Sequence, residues 1–277
     1  MIDSVGGVKI ATWNVNSLRA RADRVENWLL RSDVDVLAIQ ETKCKDENFP
    51  WELFERNGYE VAHFGVNQWN GVAIASRVGL TDVERTFPDQ PAFGKGGKDG
   101  VQEARAMAAT CAGVRVWSLY VPNGRALEDE HMPYKLEWLK VLNGHAAEWV
   151  AQDPDAQIAL VGDWNIAPRD EDVWDIELFR TEGYTHVSEP ERDAFRAFEA
   201  SGYEDVVRRH TPGPGVYTYW DYTQLRFPRK EGMRIDFVLA SPALAARVVN
   251  AHIDREERKG KGASDHAPVV VELAEDS

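Results

Sequence analysis

Side chains that can bind a cation or move a proton stand at the boundaries of the short apolar runs in this chain. Buried carboxylates and carboxamides carry a desolvation cost unless they are paired or bind a metal. Six runs share this pattern, which indicates one common polar site rather than six unrelated turns. The residues in question are Asn14, Glu41, Tyr120, Asn123, Asp163, Asn165, Asp236, Asp265 and His266.

The chemistry that such a set supports is narrow. Oxygen ligands from Glu, Asp and Asn suit a hard cation such as Mg²⁺ or Mn²⁺. Zinc is disfavoured, because none of the seven histidines forms an HxxxH pair. A magnesium site beside a histidine and an aspartate is typical of phosphoryl chemistry, in which charge on the phosphate oxygens is neutralised and a water molecule is activated.

Each of these residues, taken alone, also fits an ordinary structural role. Asn14 could cap a turn, Asp163 could cap a short helix near Pro168, and Glu41 could form a surface ion pair with Lys43. His266 alone would more often be a structural histidine than a catalyst. Only the repetition of the pattern favours chemistry.

The apolar runs that must position these residues are short and rich in β-branched side chains, which predicts strands. We expect strands over residues 8–13, 34–39, 71–75, 104–110, 114–121, 158–161, 235–239 and 268–273. Helical spacing of apolar residues predicts helices over 22–31, 132–150 and 189–200. The glycine-rich segment 93–100 is expected to be a mobile surface loop. This order of elements predicts two sheets packed together with helices outside.

The length and the composition of the chain limit its domain organisation and its cellular compartment. The chain has 277 residues, 43% of them hydrophobic and 28% charged, so we expect one globular domain over 1–277 and a monomer. Cys44 and Cys111 form no CxxC motif, which fits a reducing compartment. No signal peptide and no apolar run of about 18 residues occurs, so a soluble, cytoplasmic protein without membrane contact is expected.

The net charge of −14 argues weakly against a nucleic-acid partner, although a local basic patch can outweigh it. Three basic stretches are candidates for such a patch: Arg226, Arg229, Lys230 and Arg234; Arg255, Arg258, Lys259 and Lys261; and Arg19, Arg21 and Arg24.

Six segments together resemble the exonuclease III family of abasic-site endonucleases, within the endonuclease/exonuclease/phosphatase superfamily. They follow the family's order and cover nearly the whole chain: WNVNSLR at 13–19, QETK at 40–43, YVPNG at 120–124, GDWNIAP at 162–168, RID at 234–236 and SDHAP at 264–268. The resemblance implies an α/β, DNase I-like four-layer sandwich. Two mixed β-sheets would be flanked by helices, with the site at one rim.

The resemblance also implies roles for the site residues. Glu41, with Asn14 and Asp265, would hold Mg²⁺ or Mn²⁺, and Asp163, Asn165 and His266 are further candidate ligands. Asp163 would position or deprotonate the attacking water, or protonate the leaving 3′ oxygen. Asn165 would orient Asp163 and contact the phosphate. His266, held by Asp236, would donate to a non-bridging oxygen, and Tyr120 would bring a hydroxyl near the scissile phosphate.

For substrate binding the resemblance points to five residues: Asn123, Tyr219, Trp220, Met233 and Arg234. Tyr219 stands where the family usually has Phe or Trp, and Met233 stands where another apolar or aromatic residue would help to line a pocket. We expect Tyr219, Trp220 and Met233 to form the wall of a pocket for a flipped abasic nucleotide.

Three functions are compatible with these features. The resemblance implies a metal-dependent DNA-repair nuclease that cuts 5′ to abasic sites and acts at 3′ ends as exonuclease, phosphatase and phosphodiesterase. Its partner would be double-stranded DNA with abasic sites or damaged 3′ ends. The alternative is a metal-dependent phosphatase acting on a small or lipid phosphate. A catalytically silent nucleic-acid-binding module would have lost site residues, and none of the expected positions is substituted.

Overall fold

A computed structural model of the protein describes residues 7–94 and 100–276. The helices are α1 (Ala22–Ser32), α2 (Trp51–Glu55), α3 (His131–Gln152), α4 (Ile176–Glu182), α5 (Glu189–Ala200) and α6 (Pro242–Ala245). Within these described ranges, none of the helices combines the length and the apolar character needed to cross a lipid bilayer.

The strands form two six-stranded mixed sheets. In chain order they are β1 (Lys9–Asn14), β2 (Val36–Gln40), β3 (Glu60–Phe64), β4 (Val72–Ser76), β5 (Thr81–Arg85), β6 (Ala106–Cys111), β7 (Val114–Tyr120), β8 (Ile158–Asp163), β9 (Glu204–Asp205), β10 (Asp236–Ala240), β11 (Val248–Ile253) and β12 (Val269–Leu273). The first sheet has the order β11-β12-β1-β2-β4-β3, and the second has the order β5-β6-β7-β8-β10-β9.

Apolar side chains fill three layers of core, which establishes the four-layer sandwich. One cluster, including Val36 and Val161, lies between the two sheets. A second packs Trp138 of α3 and Phe195 of α5 against the outer face of the second sheet. A third packs Trp28 of α1 against the outer face of the first sheet. The predicted fold class is confirmed.

The two-residue period of the strands explains why the polar residues meet. On β8, Ala159 and Val161 face the core between the sheets, and Asp163 is the next residue on that same face. The parallel pairs β1–β2 and β7–β8 bring the carboxyl ends of four strands to one edge. In the antiparallel pair β8–β10, Asp163 lies opposite Asp236.

The eight predicted strands and three predicted helices are all present, with ends shifted by a few residues. Four strands were missed because their sequences lack a clear alternation: β5 is exposed along its whole length, β9 has two residues, β11 contains a register shift, and β3 is only partly buried. The short helices α2, α4 and α6 were missed as well. Of the predicted loop 93–100, residues 95–99 lie outside the described residues, and Phe93 pairs with Val101 in an antiparallel bridge.

Candidate active site

Acidic and imidazole groups converge at the rim between the two sheets. Glu41, Asp163 and His266 each direct a possible ligand atom to within 4.8 Å of the others. The side-chain amide of Asn14 donates to Glu41 Oε1 and to Asp163 Oδ2, both at 2.9 Å. Asp265 Oδ1 lies 4.0 Å from His266 Nε2 and is buried without a hydrogen-bond partner among the described residues. Such an orphaned carboxylate oxygen fits a site built for a cation.

Glu41 is held by backbone and side-chain contacts on both sides. Its own backbone is left-handed (φ 53°), and its carbonyl accepts a 2.8 Å hydrogen bond from the Ser17 amide. The next residue, Thr42, has its hydroxyl 2.8 Å from His63 Nε2, and Asp46 lies 2.9 Å from the opposite nitrogen of that ring. Sequence reasoning missed His63, because it lies on β3, which was not predicted.

The turn-capping role considered for Asn14 and the ion pair considered for Glu41 are both present in the structure. Asn14 Oδ1 accepts a 3.0 Å hydrogen bond from the Asn16 amide, which closes a turn. Glu41 Oε2 lies 3.4 Å from Lys43 Nζ, so the predicted ion pair is present. Both structural contacts are therefore compatible with the position of these residues in the cluster.

Asp163 is fixed by its own strand and by the turn that follows. The preceding Gly162 lies so close to β7 that a Cβ there would be 1.9 Å from the Leu119 carbonyl oxygen, so only glycine fits. The Asn165 amide donates to Asp163 Oδ1 at 3.0 Å. Burial, assisted by the nearby Asp236 and Glu41 carboxylates, raises the pKa of Asp163 to about 7 although His266 opposes the shift.

His266 lies between two carboxylates. Its Nδ1 is 2.8 Å from Asp236 Oδ2, and its Nε2 is 3.6 Å from Asp163 Oδ2. Burial acts against the charged ring, but the Asp236 and Asp163 carboxylates outweigh it and raise the pKa of His266 well above its usual value. Trp13 secures the residue by donating from Nε1 to its carbonyl oxygen at 3.1 Å.

Tyr120 ends β7 on the same face as Asp163. The Arg105 guanidinium lies 4.7 Å from the centre of its ring, and Arg105 also donates to the Tyr120 carbonyl oxygen. Burial and the nearby Glu41 carboxylate raise the pKa of Tyr120 well above its usual value, so its hydroxyl stays neutral. Asn123 reaches the same group of residues by donating from Nδ2 to Asn165 Oδ1 at 3.3 Å.

A cavity of about 510 Å³ adjoins the site, and Asn123 lies on its wall. Two of the three predicted pocket residues, Tyr219 and Met233, line it. Trp220 is 2% exposed instead, and its ring packs edge-on against Phe227. The expectation that Trp220 forms the wall is therefore corrected, because its side chain is buried and does not line the cavity.

Arg234 also differs from the prediction that it contacts the substrate. Its side chain is 1% exposed and makes two hydrogen bonds, of 2.7 and 2.9 Å, to the carboxylate of Asp205. The guanidinium lies over the ring of Phe237 at 4.7 Å. A buried, doubly bonded guanidinium is not presented to a DNA strand, so Arg234 is part of the scaffold beneath the cavity.

Two buried residues near the site gave no signal in the sequence. His186 lines the cavity and its Nδ1 lies 2.6 Å from the Asn165 carbonyl oxygen. Burial lowers the pKa of His186 to about 4, so the ring is neutral. Lys135 of α3 is fully buried and donates to the same carbonyl. Lys135 lies on the helix face that the spacing of apolar residues predicts to be core, so the sequence did not indicate a buried charge there.

Comparisons with known proteins agree with this geometry. The model of the endonuclease/exonuclease/phosphatase family matches residues 11–266. The exodeoxyribonuclease III of Haemophilus influenzae is 30% identical over 275 residues, which cover 96% of this chain and 100% of that protein.

Solved structures resemble nearly the whole chain, and two of them are the following. The 3′ phosphatase NExo from Neisseria, solved with a product DNA hairpin, is 37% identical with a TM-score of 0.87, over 96% of this chain and 99% of that one. An AP endonuclease from Archaeoglobus fulgidus is 36% identical with a TM-score of 0.88, again over 96% and 99%.

Proposed function

Since this chain belongs to the endonuclease/exonuclease/phosphatase family, we propose that it is a Mg²⁺-dependent DNA-repair nuclease that recognises abasic sites and damaged 3′ ends in duplex DNA. The enzyme is a hydrolase of DNA phosphodiester bonds. The proposed nuclease cuts on the 5′ side of the abasic nucleotide and removes nucleotides or phosphate groups from 3′ ends.

The observation that carries the proposal is the line of groups Asp236–His266–Asp163 beside the Glu41 carboxylate. A protonated imidazole can donate to a phosphate oxygen, and a carboxylate 3.6 Å away can accept a proton from water. Both functions are needed to hydrolyse a phosphodiester, whose negative charge repels an attacking oxygen.

Glu41 and Asp265 carry the carboxylate oxygens that would hold the cation, and this is the ligand type that Mg²⁺ prefers. Asn14 would join them as a ligand only with its side-chain amide turned, because its nitrogen faces Glu41 and Asp163 and its oxygen accepts from the Asn16 amide. When bound, the cation neutralises negative charge on the phosphate and lowers the pKa of a coordinated water. The orphaned Oδ1 of Asp265 and the neighbouring Glu41 and Asp163 carboxylates support this assignment, whereas a protonated His266 cannot bind a cation. Asp163 and Asn165 remain candidate ligands in the same cluster.

Three side chains of the protein would activate the water and bind the phosphate. Asp163, oriented by the amides of Asn165 and Asn14, holds the attacking water and takes its proton as the new P–O bond forms. The bond from phosphorus to the leaving 3′ oxygen breaks in the same step, and that oxygen takes up a proton from solvent. His266, kept protonated by Asp236, donates from Nε2 to a non-bridging oxygen. Tyr120 stays neutral and donates its hydroxyl to the phosphate. Each donor is fixed before the substrate arrives, which lowers the cost of reorganisation during the reaction.

The cavity beside the site supports recognition of a nucleotide that has lost its base. A flipped sugar-phosphate is small, and flipping costs least where no base must be unstacked. Tyr219 and Met233 offer an apolar wall, and Asn123 offers a polar group on the side of Asn165.

The site is flanked by a basic depression that suits the DNA backbone despite the acidic total charge. Arg19, Lys43 and Lys45 line it together with Trp69, which is 67% exposed. Lysine and arginine near the scissile bond bind phosphates, and an exposed indole can pack on a base or sugar.

A substrate panel tests the proposal. The protein is incubated with Mg²⁺ or with chelator and four substrates: a duplex with one abasic site, an intact blunt duplex, a nicked duplex with a 3′ phosphate, and a soluble inositol phosphate. We expect Mg²⁺-dependent cleavage 5′ to the abasic site and release of the 3′ phosphate.

Glu41→Gln is the matched variant for the cation. It should weaken Mg²⁺ binding and lower turnover by at least about 10- to 100-fold. Activity that persists in chelator would refute the metal dependence. Hydrolysis of the inositol phosphate in preference to every DNA substrate would favour the phosphatase alternative instead.

A further inference from the structure

A buried lysine lies beneath the turn that carries Asn165. Lys135 projects from α3, and its side chain is fully enclosed. Its ammonium donates to Glu191 Oε1 and to the Asn165 carbonyl oxygen, both at 2.5 Å, and to the Asn123 carbonyl oxygen at 3.1 Å. An ammonium has three N–H groups, so all of its donors are used.

Two of these acceptors belong to the loops that follow β7 and β8, the strands that end in Tyr120 and Asp163. Asn165 has a left-handed backbone (φ 48°), a conformation that asparagine adopts more readily than most other non-glycine residues. Lys135 and His186 both contact its carbonyl oxygen. The turn is therefore clamped from the side of the protein interior.

The Asn165 turn, which Lys135 and His186 hold in this way, is hydrogen-bonded directly to the reacting groups. The Asn165 amide donates to Asp163 Oδ1 at 3.0 Å, and the Asn165 side chain donates to the Val121 carbonyl oxygen at 2.8 Å. Asn123 Nδ2 donates in turn to Asn165 Oδ1. A shift of the Asn165 turn would consequently move Asp163 and Asn123 together.

The aliphatic part of Lys135 supports the other loop. Gly124 has a positive φ of 86°, and a Cβ there would lie 3.1 Å from Lys135 Cδ and 2.8 Å from Met132 Cε. The loop after β7 therefore rests on the lysine stem, while the ammonium bonds to the Asn123 carbonyl.

Folding alone does not account for this arrangement. Lys135 and Glu191 are both fully buried, and a well-packed apolar pair of similar volume is often as stabilising as a buried ion pair. Apolar residues, however, could not donate to two carbonyl oxygens at once.

We infer that Lys135 is a positioning residue for phosphodiester hydrolysis, whose ammonium holds the Asn123 and Asn165 carbonyls so that Asp163 stays directed at the phosphate. The inference rests on the proposed function. Lys135 lies behind the site and acts through Asn165 rather than by touching substrate.

The variant Lys135→Met/Glu191→Gln tests this role, because it removes both charges together and leaves neither unpaired. We measure kcat and KM at saturating Mg²⁺ on whichever DNA substrate the wild type cleaves, and amide hydrogen exchange at Asn165. We expect kcat to fall about 10- to 100-fold with KM little changed, and exchange at Asn165 to become faster. Lys140→Met, on the exposed face of the same helix, is the matched control and should match the wild type.

A folded double variant with wild-type kcat would overturn the inference and leave Lys135 a structural residue. If the double variant does not fold, Lys135→Gln decides, because a glutamine amide can still donate to Glu191 but cannot bond to both carbonyl oxygens as well. Its kcat should fall about tenfold with KM little changed, and a folded Lys135→Gln variant with wild-type kcat would overturn the inference. A wild type without activity on any DNA substrate would refute the proposed function instead.

Discussion

The buried pair of Arg234 and Asp205 gives a prediction that separates scaffold from substrate contact. Arg234→Met keeps most of the side-chain volume but removes both hydrogen bonds to Asp205. Removing one partner of a buried pair costs about 3–5 kcal/mol, because the other charge is left uncompensated. Arg208 lies 3.3 Å from the same carboxylate and remains, so we expect a loss near the lower limit, about 3 kcal/mol.

That loss translates into a measurable shift in thermal stability. The entropy of unfolding is about 2.1 cal/mol/K per residue, or roughly 0.6 kcal/mol/K for 277 residues. A loss of about 3 kcal/mol should therefore lower Tm by roughly 5 °C. In a double-mutant cycle, Arg234→Met with Asp205→Asn should cost less than the sum of the two single changes.

The assay combines thermal unfolding with the salt dependence of DNA binding. KM for duplex DNA and its salt slope should be unchanged in Arg234→Met, because the guanidinium is not presented to the strand. Arg229→Met, an exposed arginine of the same basic stretch, is the stability control and should change the free energy of unfolding by less than about 0.5 kcal/mol. An unchanged Tm together with a higher KM for Arg234→Met would refute the buried placement.

Three further predictions concern the site itself. His266→Ala and Asp236→Ala should each lower kcat by roughly 10²–10⁴, and the double variant should lose little more than either, since each acts through the other; losses that multiply would show independence. Tyr219→Ala or Met233→Ala should raise cleavage at base-bearing relative to abasic sites, whereas proportional losses on both substrates with a lower Tm would make these residues core. Because burial raises the pKa of Asp163 to about 7, this carboxyl is protonated below that pH and cannot take a proton from the attacking water. The kcat should therefore rise between about pH 6 and pH 8, and a flat profile would contradict this.

The strands that hold the site could be predicted because they are buried on both faces. A strand such as β8, with every residue enclosed, forms a continuous apolar run that ends at Asp163. The polar residue at its end is then conspicuous in the sequence. Strand β5 has no buried residue, so its sequence resembles that of a loop.

Supporting residues were harder to predict than the groups at the rim. His63, Lys135 and His186 contact the site only through backbone atoms or a neighbouring side chain. Such contacts depend on three-dimensional packing and leave no spacing pattern. Arg234 shows the opposite error, because its neighbour Asp236 belongs to the site while Arg234, which precedes β10, lies over the ring of Phe237 and pairs with Asp205.

The order of strands in the two sheets has a consequence for folding. The first sheet takes β1 to β4 from the early part of the chain and β11 and β12 from the late part, whereas β5 to β10 form the second sheet in between. Trp13 donates a hydrogen bond to the His266 carbonyl oxygen, although the two residues are separated by 253 positions in the sequence. Contacts of such high sequence separation close late, because the entropy of the intervening loop must be lost first. Enzymatic activity should therefore be among the last properties to return during refolding, after most of the helical signal has recovered.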